Sequence, residues 1–414
     1  MVYDVIVIGG GAAGMLASGT AAEKGAKVLL LERNEKPGRK LYITGKGRCN
    51  ITNNSTVPEV LDNIPTGNKF LYSAINGFTP ADAMAFFSSQ GVPVKTERGG
   101  RVFPESDKAS DVIDALRRYM RRSGVDVRCG RATGLTAESG RICGVVTEKG
   151  VISCKSVILA TGGMSYPGTG STGDGYEMAK SLGHNVTELR GSLVPLVAEP
   201  EVCGMMQGLA LKNVQMSVFD GGKKPVFVDF GELLFTHFGL SGPLALSASA
   251  HMRQFDKKSY YAVIDLKPAL DEKKLDLRVL RDFEKYKSRD FSNSLGELLH
   301  KSMICVIVEK SGISPVKKVH SVSREERLRL VSLIKALRID ISGPRPVEEA
   351  IITSGGVSLK EINPKTMESK FVQGLFFAGE IIDADAYTGG YNLQIAWSTG
   401  YAAGGAAASL TTNI

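Results

Sequence analysis

The strongest constraint on this chain lies in residues 3–32, where an apolar run, a glycine turn, a small-residue helix and a second apolar run follow one another. Gly9, Gly11 and Gly14 take the glycine positions of a GxGxxG turn. The first permits a tight turn, the second lets backbone approach a pyrophosphate, and the third allows close helix–strand packing. Glu32 ends the second run, where a carboxylate can accept hydrogen bonds from ribose hydroxyls. The segment predicts a dinucleotide-binding α/β domain and leaves NAD and FAD equally open.

Length and composition bound the rest of the chain. At 414 residues it is expected to contain two or three domains. The glycine turn begins so close to Met1 that we expect no signal peptide, and no long apolar span is present, so a cytoplasmic protein without a membrane anchor is predicted. Six cysteines without a CxxC pair or a Cys/His cluster indicate reduced thiols and no metal site. A net charge of +8 leaves a polyanionic partner open.

A basic, glycine-rich segment follows Glu32 and runs to residue 50. Glycines mixed with cations and amides suit a loop that contacts the phosphates and polar ring edges of a cofactor, although a solvated basic loop is the alternative. Cys49 follows Arg48 and is either a thiol of lowered pKa or a structural cysteine. Further along, Arg117, Arg118, Arg121 and Arg122 end a predicted helix, where they either meet phosphates or simply complement the helix dipole.

A third apolar run, residues 157–160, leads into Thr161, Gly162 and Gly163. Residues 168–173 also fit GxGxxG, but Pro167 and other residues separate them from the strand and no acid-ended strand follows. They are better interpreted as a loop before a helix over 174–182. The sequence therefore predicts one bound dinucleotide and no dedicated NAD(P)H domain.

The pattern changes after residue 191. Short alternating runs to about 265 predict strands and hairpins, and charged, helix-periodic stretches at 272–286, 294–310 and 324–336 predict a helical insertion. His237 lies between apolar residues and glycines. A buried, hydrogen-bonded histidine is one interpretation, and a proton donor or substrate ligand is the other.

The last seventy residues carry a second group of motifs. Residues 375–378 form an apolar strand that ends at Gly379 and Glu380, and residues 388–394 open a helix predicted to continue through Ala403. The carboxylate can hold a ribityl hydroxyl, and the helix start directs N–H groups and the positive dipole end at an electron-rich acceptor. For a flavin, that acceptor would be the edge that becomes anionic on reduction. Residues 401–410, rich in Ala and Gly, predict close helix packing.

Several motifs together resemble the BaiN/YhiN-like family of bacterial flavoproteins. They are GKGRCN at 45–50, ATGG at 160–163 with SYP at 165–167, LFTHFGLSGP at 234–243, and GE at 379–380 with TGGYNLQ at 388–394. The resemblance implies a doubly wound, Rossmann-like FAD-binding domain of the two-dinucleotide-domain type, formed by 1–190 and 346–414. It is split by an insert at 191–345, with a small β-barrel at about 191–268, its return strand near 338–345, and a helical subdomain at about 269–337.

The resemblance also implies which residues contact FAD, with Ala132 offering backbone to the adenine. They are Gly9, Gly11, Ala12, Ala13, Gly14, Glu32, Arg33, Lys40, Gly45, Gly47, Arg48, Cys49, Asn50, Ala132, Thr161, Gly162, Gly163, Gly379, Glu380, Gly390, Tyr391, Asn392 and Leu393. NADPH or NADH would be the transient electron donor.

The activities that the resemblance implies differ in substrate. Reduction of a C=C bond conjugated to a carbonyl, in an oxo-bile acid or in uridine of ribosomal RNA, would take hydride at the β-carbon, a donor at the enolate oxygen and an acid at the α-carbon. His237 is the first candidate for the oxygen-side donor or acid, and Cys49 the second. Oxidation of small amines with peroxide release and an FAD-bearing binding or sensing protein remain alternatives. A pI of 9.0 favours RNA over a steroid, and the oligomeric state stays open.

Overall fold

The computed structural model describes residues 2–412. The strands are β1 Tyr3–Ile8, β2 Val28–Glu32, β3 Thr52–Asn53, β4 Val94–Thr96, β5 Arg101–Pro104, β6 Asp126–Cys129, β7 Ala132–Glu138, β8 Arg141–Thr147, β9 Gly150–Leu159, β10 Arg190–Ser192, β11 Leu196–Ala198, β12 Ala210–Phe219, β13 Phe227–Thr236, β14 Gly239–Ser241, β15 Tyr260–Asp265, β16 Leu337–Pro344, β17 Ile352–Ser354 and β18 Leu375–Phe377.

The helices follow in the same order along the chain. They are α1 Ala12–Glu23, α2 Arg39–Ile43, α3 Val57–Asp62, α4 Asn68–Gly77, α5 Pro80–Ser89, α6 Ala109–Arg122, α7 Asp174–Ser181, α8 Pro200–Met205, α9 Gly242–Ser249, α10 Glu272–Lys285, α11 Lys301–Ser311, α12 Arg324–Lys335 and α13 Tyr391–Thr412. Within residues 2–412, no helix combines the length and apolar character that crossing a membrane requires.

A seven-stranded sheet organises the dinucleotide-binding unit, in the order β6-β2-β1-β9-β8-β7 with β18 also pairing β9. Strands β6, β2, β1, β9 and β18 run parallel, and Val7 of β1 lies between Leu30 of β2 and Ile158 of β9. Because the carboxyl ends of parallel strands meet at one edge, the turns after β1, β2, β9 and β18 converge there. The predicted Rossmann-like fold is confirmed.

Helix α13 covers α1 on one face of this sheet. A Cβ on Gly400 would lie 2.6 Å from the Ala13 carbonyl oxygen, and one on Gly404 would lie 2.4 Å from that of Ala17. Ala403, Ala407 and Ala408 are buried in the same cluster. The expected small-residue packing is confirmed, although the helix continues to Thr412, beyond the predicted end at Ala403. Strands β4 and β5 separate α5 from α6 in this unit.

A closed barrel organises the second unit, in the strand order β11-β14-β13-β12-β15-β16. Its interior and the helices α10 to α12 share one apolar cluster. The predicted barrel is confirmed, with β16 as the return strand. The helix predicted over 294–310 is wrong at its start: α11 begins at Lys301, because the His300 side chain accepts the Ser302 N–H and caps the helix there.

Contacts divide the chain into two compact units. One joins the residues up to Ser192 with those from Val347 onward, and the other is Leu193–Pro346. We propose that this division is also the division into domains, with the FAD-binding domain in the first unit.

Candidate functional site: a dinucleotide cradle

The three motif glycines at the start of α1 are held in different ways. Gly9 has φ +103°, and a Cβ there would lie 2.5 Å from the Ala160 carbonyl oxygen. A Cβ on Gly14 would lie 1.9 Å from the Gly9 carbonyl oxygen, whereas one on Gly11 would meet no atom within 4 Å. Gly11 is also the N-cap of α1. The outer two glycines therefore close the strand–helix turn, and the middle one faces open space at the positive end of a helix, as a pyrophosphate site requires.

Glu32 is buried at the end of β2, beside this turn. Its Oε2 accepts the Gly10 N–H at 2.6 Å, and its Oε1 accepts the Asn34 N–H at 2.8 Å and the Asn34 Nδ2 at 2.7 Å. These donors hold the carboxylate at the carboxyl end of β2, which is where the acidic residue of a dinucleotide-binding motif contacts ribose hydroxyls.

Arg33 and Ala132 lie around the same end of the sheet. The Arg33 Nη1 donates to Thr172 Oγ1 at 2.6 Å and lies 3.5 Å from Asp174, which also pairs with Arg131 at 2.9 Å. Ala132 is buried at the first position of β7. The Arg33 side chain is thus committed to the loop before α7, so its contribution to a cofactor would come from its backbone.

Lys40 and Glu380 form an ion pair across the site. The Lys40 Nζ lies 2.7 Å from Glu380 Oε2 and donates to Ser165 Oγ at 2.8 Å. Glu380 Oε1 accepts the Thr353 N–H at 2.8 Å and the Ser165 hydroxyl at 3.0 Å. Sequence reasoning chose Lys40 and Glu380 but missed Ser165 and Thr353. Ser165, five residues after the apolar run, was within the quoted SYP motif, whereas Thr353 carried no signal.

The loop from residue 44 to residue 50 adopts a left-handed backbone at several positions. Gly45, Gly47 and Cys49 have φ of 58°, 85° and 61°. Arg48 donates from Nε to Asp107 at 2.8 Å, pairs with Glu97 and lies over the Phe103 ring at 4.0 Å. Because its guanidinium is engaged within the protein, its predicted contact with FAD would come from its backbone.

Cys49 does not have the lowered pKa that its neighbour Arg48 suggested. Its side chain is fully buried, and burial raises the pKa of the thiol to about 12, against a smaller lowering by the Thr44 side chain. Of the two interpretations, this burial supports the structural cysteine, and the Arg48 guanidinium, which is engaged by Glu97 and Asp107, does not offset it.

Two buried polar atoms near these segments have no hydrogen-bond partner among the described residues: Asn50 Oδ1 and Thr161 Oγ1. Thr161 precedes Gly162, which has φ +75°, and Gly163, where a Cβ would lie 2.3 Å from Thr353 Oγ1. Buried polar atoms are normally satisfied by protein, water or ligand. Their presence on two cofactor-loop candidates fits a site that a polar ligand completes.

The start of α13 closes the far side of the cradle. Gly379 has φ +74°, and its N–H donates to Thr399 Oγ1 at 2.9 Å. A Cβ on Gly390 would lie 2.3 Å from the Thr52 carbonyl oxygen. The Asn392 side chain bonds both backbone groups of Ala386, at 2.9 and 2.7 Å. These contacts fix the first turn of α13, whose N–H groups at Tyr391, Asn392 and Leu393 have no partner within the helix.

Gln394 connects this helix to the loop after residue 50, which sequence reasoning did not anticipate. Its Oε1 accepts the Thr52 hydroxyl at 2.7 Å, and its Nε2 donates to the Phe78 carbonyl at 2.8 Å. Trp397 Nε1 donates to the Ile51 carbonyl at 2.8 Å. The only sequence signal was the position of Gln394 at the end of TGGYNLQ.

His237 lies in the second unit, in the turn between β13 and β14, and its side chain is exposed. Its ring contacts Phe238 edge-on, with centroids 5.0 Å apart. The interpretation of a buried, hydrogen-bonded histidine was wrong, because the apolar residues around it point into the barrel while the turn projects outward.

The arginines at the end of α6 are not part of the cradle. Arg117 pairs with Asp114 at 3.4 Å, and Arg118, Arg121 and Arg122 line a surface cavity of about 300 Å³. Because α6 leads into the first residue of β6, this cluster lies at the amino-end edge of the parallel strands, opposite the converging turns.

The residues present fit FAD. The Gly11 space takes a pyrophosphate, Glu32 a ribose, Ala132 an adenine edge, and the α13 start a flavin ring edge that gains charge on reduction. The Lys40–Glu380 pair places both a cation and a carboxylate next to the segment that would carry a ribityl chain. When bound, FAD would supply hydride transfer.

The chain is similar to known proteins along nearly its whole length. The family model described as HI0933-like protein Rossmann domain matches residues 3–406. The chain is 31% identical over 403 residues to the ribosomal RNA dihydrouridine synthase of Escherichia coli, covering 97% of this chain and 96% of that protein. It is 29% identical over 409 residues to the 3-dehydro-bile acid delta(4,6)-reductase of Clostridium scindens, covering 97% and 98%.

Among solved structures, the 3-ketosteroid delta1-dehydrogenase from Sterolibacterium denitrificans in complex with 1,4-androstadiene-3,17-dione superposes with a TM-score of 0.55 and 12% identity, covering 99% of this chain and 100% of that one. At that identity the likeness shows the fold alone.

Proposed function

We propose that this chain, which belongs to the HI0933-like Rossmann domain family that includes the BaiN/YhiN-like proteins, reduces a C=C bond conjugated to a carbonyl at the expense of NADPH or NADH. It is an FAD-dependent oxidoreductase. The proposal concerns the direction of electron flow, the electron donor and the substrate, for which uridine in ribosomal RNA is our first choice. We also place the protein in the cytoplasm, where that substrate is found.

One observation carries the choice of reaction. Two relatives that align along nearly the whole chain are named for different substrates but for one chemical change. Dihydrouridine forms when the C5=C6 bond of uridine, conjugated to its C4 carbonyl, is saturated. The delta(4,6) double bonds of a 3-dehydro-bile acid are likewise conjugated to its C3 carbonyl. A chain similar to both along its length is expected to share that change. Uridine is preferred because the relative named for it is the more similar of the two and because the net charge of +8 suits a polyanion.

The chain's own groups have distinct tasks in this reaction. The N–H groups at the start of α13 stabilise negative charge that develops beside them, because the first turn of a helix has unpaired donors and a positive dipole end. Lys40 neutralises Glu380, so that this carboxylate does not oppose that charge. An acid must still protonate the α-carbon of the substrate.

We propose His237 as this acid or as the donor to the enolate oxygen. Its imidazole is exposed and therefore accessible to a substrate. Cys49 is the weaker candidate, because its thiol is buried and its raised pKa, about 12, makes it a poor proton donor at neutral pH.

The test combines a spectrum with RNA mapping. Purified protein should show a flavin absorbance band that anaerobic NADPH or NADH bleaches, and ribosomal RNA from a deletion strain should lose a dihydrouridine that the wild-type gene restores. His237→Ala should keep FAD and its reduction by nicotinamide but slow reoxidation by substrate. His320→Ala, an exposed histidine of the same unit, is the matched control.

Three results would contradict the proposal. Unchanged dihydrouridine in the deletion strain would remove the RNA substrate and leave a steroid enone, to be tested by reoxidation of the reduced protein. Peroxide release from small amines under air, without nicotinamide, would establish the oxidase instead. Equal turnover of His237→Ala and His320→Ala would remove His237 from the reaction.

A further inference from the structure

The outer side of α2 and the loop after it expose residues that proteins usually bury. Tyr42 is 60% exposed and Ile43, next to it, is 42% exposed. Lys46 follows within the same loop and is also exposed. We call Tyr42, Ile43 and Lys46 the Tyr42–Lys46 face. Two neighbouring large apolar side chains on a surface are more often a contact site than scattered single ones.

The backbone of this face is held in an unusual conformation. Lys46 has φ 59° and ψ 42°, next to Gly45 with φ 58° and ψ 30°. A left-handed conformation is uncommon for a residue other than glycine, and it persists where surrounding structure fixes it. Among residues 2–412, no ion-pair partner faces the Lys46 ammonium. Its charge is therefore available to a ligand.

The face is anchored to the cradle by Lys40 of the same short helix. Its Nζ bonds Ser165 and Glu380, and Gly38 before α2 packs against Ile113, where a Cβ would lie only 2.8 Å from that side chain. Ser165 is followed by Tyr166, which is 37% exposed and has φ 52°. The exposed side chains of Tyr42, Ile43 and Lys46 are thus attached to the segments predicted to surround the cofactor.

We propose that the Tyr42–Lys46 face binds a nucleotide of single-stranded RNA next to the reacting uridine, with the Tyr42 ring stacked on the base and Lys46 at a phosphate. This inference rests on the proposed function and adds the surface that recognises the substrate. Aromatic stacking beside a cation is the usual way in which proteins hold unpaired nucleotides. A neutral steroid enone would use Tyr42 and Ile43 but would give Lys46 no partner.

The experiment measures binding of FAD-loaded protein to fluorescein-labelled oligouridylate by anisotropy over a range of salt concentrations. Tyr42→Ala should weaken binding about tenfold, and Tyr42→Phe should bind as wild type, because a base–aromatic stack is lost only in the first. Lys46→Gln should lower the slope of log K against log salt by about 0.7, the value for one phosphate of a single strand. Tyr72→Ala, at 59% exposure, and Lys149→Gln, also exposed, are matched controls that should change neither quantity.

The outcomes separate this surface from the reaction. Wild-type affinity and salt slope in Tyr42→Ala and Lys46→Gln would overturn the inference, as would equal losses in the two controls. Tight binding of an oxo-steroid that depends on Tyr42 but not on Lys46, with no response to oligouridylate, would also overturn it. The expected binding pattern together with unchanged dihydrouridine in a deletion strain would support the surface while refuting the proposed reaction. Dihydrouridine formation by the wild type, together with unchanged oligouridylate binding in Tyr42→Ala and Lys46→Gln, would support the proposed reaction while refuting the proposed surface.

Discussion

Two glycines of the first turn can be separated by substitutions that act on different properties of the protein. Gly11→Val adds a side chain where a Cβ meets no atom within 4 Å, at an extended backbone position with φ −82°. Gly14→Ala adds a single carbon 1.9 Å from the Gly9 carbonyl oxygen and 3.3 Å from Ala160 Cβ. The first change should remove FAD and spare the fold, and the second should weaken the fold itself.

The magnitudes follow from these distances. Replacing glycine by alanine within a helix normally raises the free energy of unfolding by about 1 kcal/mol. Any decrease measured for Gly14→Ala is therefore due to the close contact between the new Cβ and the Gly9 carbonyl oxygen. Overpacking of a close backbone contact costs about 1–3 kcal/mol or more, and a net loss of about 2 kcal/mol corresponds to a fall in Tm of about 4–8 °C. Gly11→Val should lower the free energy of unfolding of the FAD-free protein by no more than about 1 kcal/mol, because valine is a poorer N-cap residue than glycine but no side-chain cap is lost. Loss of charge-assisted contacts to a pyrophosphate, about 3 kcal/mol, should weaken FAD about 100-fold.

The assay has two parts, because bound FAD itself raises Tm. Thermal unfolding is measured on protein stripped of FAD, and FAD affinity is then measured by titration of flavin fluorescence. Gly77→Ala, at the last position of α4 with open space around it, is the control for glycine replacement. Gly11→Val that binds FAD like wild type would refute the pyrophosphate assignment. FAD-free Gly14→Ala that melts at or above wild type would refute the close-packing argument.

Two further predictions concern buried titratable groups. In the folded protein Cys49, whose pKa burial raises to about 12, should escape iodoacetamide at mildly alkaline pH while the exposed Cys129 and Cys305 are alkylated, and peptide mass spectrometry showing equal labelling would contradict this. The free energy of unfolding should fall as the pH drops below 6.5, because burial lowers the pKa of His184 from that value and the unfolded chain then binds a proton that the folded chain does not. His184→Gln should reduce the slope of the free energy of unfolding against pH by at most about 1.4 kcal/mol per pH unit. The window is pH 6.5 to 4.5, because Glu361, the neighbour of His184, has an ordinary pKa of 4.5. A slope equal to that of wild type in denaturant titrations would count against this prediction.

Local patterns predicted the parallel core well because neighbouring residues in the sequence specify each strand and each turn. The run before Gly9, the glycine spacing and Glu32 together specify β1, α1 and β2 without reference to the rest of the chain. The strands of the barrel were predictable for the same reason, since alternation and turn residues recur along residues 192–265, whereas their closure into a barrel was implied only by the resemblance to a known family. The start of α11 was missed because His300 is an uncommon N-cap, whose ring accepts a backbone N–H as aspartate or serine usually does.

The site was less predictable than the fold where it depends on distant partners. The sequence places Arg48 in a loop that is predicted to contact a cofactor, but it does not show that Glu97 and Asp107, about fifty to sixty positions away, engage the guanidinium. His237 was judged by its apolar neighbours, and only the turn between β13 and β14 shows that its side chain points outward. Gln394 and Thr52 are separated by 342 positions, so no local sequence pattern predicts their hydrogen bond.

The Lys40–Glu380 pair has a consequence for how the protein is made. Its partners are 340 positions apart, and the whole of Leu193–Pro346 is translated between them. Helix α13 comes later still, so α1 emerges from the ribosome long before the small-residue surface that covers it. During that interval the first half of the unit has an uncovered apolar helix and half of a cofactor cradle. The barrel unit, being contiguous, can complete its own folding first. FAD is then expected to bind late in biogenesis, after the segment that follows Leu193–Pro346 has been synthesised and has packed against the segment that precedes it.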